Sequence, residues 1–162
     1  MSQTTKLPNS QDARGPKPRP DVLYLKGQPR LPSVEAQTLA FVEYAQKEPE
    51  PMSALTEWAG FSVYLRYARN KRLTEDLSVG ECIAISSIHI PEHLQHRGWF
   101  WRYCQMCLCL VSDALIIENV HNPSLRAALR QRPEFLEYIP TSFVLRRTLE
   151  CPWPLRVFQS PT

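Results

Sequence analysis

Ile88-His89-Ile90-Pro91-Glu92-His93-Leu94-Gln95-His96-Arg97-Gly98-Trp99-Phe100 is the stretch on which the reading of this chain turns. It runs from an apolar strand through a short turn into a helix that opens at a glycine. The first turn of a helix leaves backbone N–H groups unpaired and carries partial positive charge, so it suits a bound phosphate. The Gln95-x-x-Gly98 spacing puts a polar side chain and a residue without Cβ at that turn. The backbone around His96, Arg97, Gly98, Trp99 and Phe100 is therefore a candidate anion cradle, and Arg97 can add a charge-assisted contact. The same residues also fit a tight strand-to-helix connection that needs one glycine for packing.

Working outward, residues 81–90 read as a central strand with a phase change. Ile83 and Ile85 share one parity and Ile88 and Ile90 the other, with Ser86-Ser87 between them. A β-bulge inserts one residue and produces such a flip. Residues 98–112 form the next helix, 115–120 a short buried strand, and 124–131 a helix ended by Pro133. Residues 137–140 and 143–147 make a last strand pair, or a strand with its approach. Upstream, Ser33 is an N-cap for an amphipathic helix over 34–47, with Val34, Ala36, Leu39, Phe41, Val42 and Ala45 available for burial. Pro49 and Pro51 stop it, and 52–59 are expected to add a helical turn or two before Gly60. Residues 61–69 alternate as a strand, Asn70-Lys71-Arg72 is a turn, and 73–77 is either a strand start or a loop. This order argues for an α/β or α+β layer on a mixed sheet.

The 162 residues suit one domain with a tail. Residues 1–32 hold six prolines among polar and charged residues. That composition buries too little apolar surface to offset ordering, so a proline-rich basic tail, extended or disordered, is expected ahead of a domain over 33–162. The island Val22-Leu23-Tyr24-Leu25 is a docking or partner-binding element within it. The formal charge of +3 is uneven: residues 1–30 carry six basic side chains against two acidic ones, leaving the remainder near −1. The domain thus has no global attraction for nucleic acid or membrane. No apolar run reaches the length of a membrane span and the start lacks a hydrophobic signal region, so a cytoplasmic location is expected. Five cysteines, three of them crowded at Cys104, Cys107 and Cys109, lack the paired spacing of a zinc site and read as small packing residues; no metal is expected.

The strand–turn–helix segment and the later Leu115-Ile116-Ile117-Glu118-Asn119-Val120-His121-Asn122 together resemble the GNAT superfamily of acyl-CoA N-acyltransferases. That family shows an apolar-x-apolar strand end, then Gln/Arg-x-x-Gly-x-Gly/Ala opening a helix over the acyl-CoA pyrophosphate. Ile88 and Ile90 match the apolar pair, Gln95 and Gly98 the next fixed positions, and Phe100 replaces the final small residue. Asn122 matches the family's later Asn, while Leu129 stands where a Tyr usually follows. The resemblance spans roughly residues 61–148. It implies a central, mostly antiparallel sheet with splayed strands flanked by helices, and acetyl-CoA or another acyl-CoA as co-substrate. It further implies that Ile88 and Ile90 offer backbone groups to the pantetheine arm. Asn122 then faces the acyl-CoA, although capping the last helix is an equal account of it.

Glu118 needs explanation, because a carboxylate in a buried strand is costly unless paired. It is a candidate general base with a raised pKa for an amine nucleophile; otherwise it is salt-bridged to an arginine such as Arg66, or faces solvent at a sheet end. His89 is a second candidate base, or a hydrogen-bonded structural histidine. The expected activity is acyl transfer from acetyl-CoA to an unidentified amine, on a small molecule or a protein. The rival is a catalytically inactive protein-binding module of the same shape, favoured by Phe100 and Leu129, with Trp58, Trp99, Trp101 and Trp153 as interface anchors and residues 1–32 as an arm for a protein partner.

Overall fold

The computed structural model describes residues 31–148. The tail over 1–30, its apolar island, Cys151 and Trp153 lie outside the described residues. Helix α1, Val34–Ala45, opens on Ser33, whose Oγ accepts from the Ala36 N–H at 2.9 Å. It buries Phe41, Val42 and Ala45 as expected, but Leu39 points to solvent at 51% exposure. Gln37 takes a buried place instead: its amide donates to the carbonyls of Leu31 and Glu57 and its oxygen accepts from the Glu57 N–H. A buried amide is tolerated because every polar arm is matched.

Residues 52–58 correct the helical expectation. They form strand β1, Met52–Trp58, paired antiparallel with β2, Phe61–Ala68. Ala59 and Gly60 both take positive φ, 48° and 83°. Positive φ at both central residues is the mark of a two-residue hairpin turn whose twist matches its strands. The hairpin then lets Ala54 and Thr56 bury on one face while Leu55 stays exposed. Two short strands follow, β3 (Lys71–Arg72) and β4 (Ser78–Val79), joined by a loop closed by Leu73 and Thr74 N–H groups on the Leu77 carbonyl.

Strand β5, Cys82–His89, pairs antiparallel with β2, and the register shifts so that Tyr64 faces Ser87 while Leu65 faces Ile85. Ser86 is the inserted residue, where the phase change in the sequence placed a bulge. A short 3-10 turn, Glu92–Leu94, leads to helix α2, Trp99–Cys109. Then come β6 (Ala114–Ile117), α3 (Pro123–Arg130), β7 (Phe135–Ile139) and β8 (Ser142–Arg146).

The result is α/β, with a mixed six-stranded sheet in the order β1-β2-β5-β6-β8-β7. Only β5 and β6 run parallel among the paired strands of that sheet. One face, carrying Leu65, Ile83, Ile85, Leu115, Ile117 and Phe143, meets α1, α2 and Leu129 of α3 in the larger core. The opposite face carries Ala84, Ile116 and Val144 in a smaller core under Leu73 and Leu77 of the β3–β4 segment. Each large apolar side chain sealed this way contributes roughly 1.5–3 kcal/mol relative to exposure.

Candidate functional site

The parallel pair is short. Registered contacts run from Cys82–Ala114 to Ile85–Ile117 and stop there. The last bond joins the Glu118 N–H to the Ile85 carbonyl at 2.9 Å. Two local features then part the strands. The bulge at Ser86 turns β5, and Asn119, at φ 55°, turns the chain after β6 so that Val120 bonds to Thr141 instead. Asn tolerates that left-handed conformation better than most residues. A cavity of about 720 Å³ opens in the gap, between the parted strands, the start of α2 and the side of α3.

The α2 end of this cavity is the glycine turn. Gly98 is the N-cap at φ 76°, and His96 also takes positive φ, 59°. Gln95 does not reach outward; its amide donates to the Ile90 carbonyl at 2.9 Å and ties the turn to the strand. With no side-chain cap on α2, the first-turn N–H groups of Trp99, Phe100 and Trp101 lack intrahelical acceptors. A Cβ on Gly98 would come within 3.3 Å of the Arg102 guanidinium, which donates to the Arg97 carbonyl. Arg102 therefore leans over the turn, a cation that the sequence reading did not single out.

The structure gathers most of the expected residues. Ile88, Ile90, Gln95, His96, Gly98, Trp99, Phe100, Glu118 and Asn122 all line the cavity. Two do not. His89 alternates with Ile88 and Ile90, pairs with Ser62 and is exposed on the other side of the strand, and Arg97 is exposed beside the turn. Phe100, which replaces the small residue of the resembled pattern, is 8% exposed and edge-on to Trp101 with centroids 5.0 Å apart. Trp99 donates to a Glu35 carboxylate oxygen at 2.6 Å and stacks on Tyr103, while Arg132 sits 3.8 Å over the Trp101 ring. These two indoles are engaged within the fold rather than offered as surface anchors.

At the opposite end the site is polar. Glu118 receives hydrogen bonds from Lys71 Nζ at 2.8 Å and Ser86 Oγ at 2.8 Å, and an ion pair from Arg66 Nη2. Its side chain is only 9% exposed. Burial works against its charge, but the hydrogen bonds from Lys71, Arg66 and Ser86 outweigh it and hold the carboxyl below its ordinary range. The raised pKa expected of a general base is thus reversed. Arg66 was a named alternative in the sequence; Lys71, brought in by β3, was not.

Asn122 caps α3, its Oδ1 accepting from the Leu125 N–H at 3.0 Å, and still lines the cavity. Leu129 is wholly buried in the larger core. Sequence reasoning missed Ser124, Leu125 and Ala128 as a cavity wall. The apolar spacing of Leu125, Ala128 and Leu129, three and four residues apart, was the available signal. Burial disfavours the thiolate, pushing Cys82 up to about 11 and Cys107 up to about 12. Among the described residues no group of three or more His, Cys, Asp and Glu side chains is arranged to hold a metal, and no helix is long and apolar enough to cross a membrane.

No protein-family model matches the sequence, and a search of curated proteins returns no match.

Proposed function

We propose that the chain is a GNAT-like N-acyltransferase that takes an acyl group from acetyl-CoA or a related acyl-CoA and passes it to an amine. The observation that carries this reading is the parting of β5 and β6 over a cavity whose far end is an uncapped helix N-terminus. A long, thin ligand with an apolar-amide arm and a pyrophosphate needs that combination: unpaired strand backbone along one wall and unpaired N–H groups at the end. The pyrophosphate is held by the N–H groups of the Gly98 turn and by Arg102. Among the described residues, 86–89 of β5 have no strand partner on the β6 side, so that edge is available to the pantetheine amides.

In this reading acceleration comes from holding the thioester beside the amine and from backbone N–H groups at the bulge that stabilise charge on its carbonyl oxygen. Glu118 is held by two cations and is a weak base, so it positions Ser86 and Arg66 and the amine proton passes to water. Localisation in the cytoplasm accompanies this proposal.

A catalytically inactive, protein-binding module of the same architecture is the second reading. It is favoured by Leu129, which is buried in the core at the position of the family's usual tyrosine and offers no proton to a leaving thiolate. Measuring thiol release from acetyl-CoA against a panel of amines separates the two. Protein- and amine-dependent release supports transfer; absence of release under any amine supports the inactive module, and absence of acetyl-CoA binding removes the transferase reading.

A further inference from the structure

Beside the polar end of the cavity sits more positive charge than the carboxylate there neutralises. Arg66 and Lys71 both converge on Glu118, and among the described residues neither has another ion-pair partner. The guanidinium uses Nη2 on Glu118 and Nε on Ser86, at 3.1 Å, and Nη1 has no hydrogen-bond partner among the described residues. Its side chain is 48% exposed, so it is reachable. Glu118 is nearly enclosed and fixes the two cations without being available itself. Ser86 and Glu118 also line the cavity, so this cationic group adjoins the bulge at which acyl transfer is proposed. Half-buried Tyr138 of β7 has its pKa pushed up by burial and by the Glu118 charge.

Resting on the acyltransferase reading, we infer that Arg66, supported by Lys71, is the acceptor-recognition site, and that the acceptor is an amino acid: an amine carrying a carboxylate a few bonds from its nitrogen. The planar guanidinium with a free edge suits a carboxylate, and the contact to Ser86 keeps that edge within a few bonds of the bulged strand. A polyamine would meet two cations there and be repelled. In the reaction the ammonium first loses one proton to water. The amine nitrogen then bonds to the thioester carbonyl carbon, the C–S bond breaks, and the thiolate takes the second nitrogen proton. The products are an N-acyl amino acid and free thiol, with one proton released to solvent.

The test is calorimetric titration of the full chain with a panel of N-acetyl amino acids and their carboxamides, repeated on Arg66→Met and Lys71→Met. Acetyl-CoA is titrated separately into each protein, and melting curves confirm that each is folded. The inference expects at least one acid to bind about tenfold or more tighter than its amide, with that preference lost in Arg66→Met and weakened in Lys71→Met. In the transfer assay, Arg66→Met should raise KM for the amino acid far more than it lowers kcat. Amides binding as well as acids across the panel, or a preference that survives Arg66→Met in a folded protein, overturns it. Acid binding without acetyl-CoA binding would remove the acyl-donor reading and leave the carboxylate site standing; the reverse pattern would do the opposite.

Discussion

Glu118 has 9% of its side chain exposed and two cations and a hydroxyl around it, and that environment sets its chemistry. Removing its charge leaves Lys71 and Arg66 short of a partner, although half-exposed Arg66 recovers hydration. Glu118→Gln should therefore cost on the order of 1–2 kcal/mol at neutral pH, read from urea unfolding. The folded pKa lies below the ordinary 4.5, so this stability is fully present above that value and is lost as pH falls through the folded pKa. The gap between wild type and variant should be constant at neutral pH and shrink in acid; a gap that widens in acid would contradict the assignment. Gly98 is the second residue with a local requirement. At φ 76° any Cβ is strained, and Gly98→Ala should lose about 1 kcal/mol in the same assay. Both residues were legible in the sequence as needing special conditions. For Glu118 the sign of the pKa shift was not, because Lys71 and Ser86 reach it only after the sheet has formed.

Two of the contacts that hold helix α3 differ in kind. Asn122 caps it, and Leu129 is its only buried residue. Asn122→Ala should lower stability by about 1 kcal/mol and Leu129→Ala by about 2–4 kcal/mol, measured by chemical denaturation. A smaller loss for Leu129 than for Asn122 would mean that α3 is not anchored as described. Among the strands, the bulge was readable because it flips the parity of isoleucines, a signal independent of tertiary context. The β1 hairpin was not readable in the same way. Its Ala-Gly turn is a weaker hairpin mark than Asn-Gly, and its Met-Ala-Leu-Glu content leans helical, so pairing with β2 overrode local propensity.

At the level of the molecule, a sheet whose one parallel pair comes apart places a helix N-terminus and an apolar channel on one path, with a cationic pair held against the channel's Glu118. The order of elements around that path was visible from periodicity and from the glycine turn. The channel's α3 wall and Lys71 beside Glu118 were not, since they come from segments distant in sequence that only the topology brings together. The account stands on acyl-CoA occupying this path, and the direct measurement is a calorimetric titration of acetyl-CoA into wild type and Gly98→Glu, with melting curves to confirm that the variant folds. A Glu at that turn projects charge toward Arg102 and into the phosphate position. The account predicts saturable binding, on the order of micromolar to tens of micromolar, that is abolished in the folded variant. Wild type that fails to bind at millimolar ligand, or a folded variant that binds equally well, would contradict it.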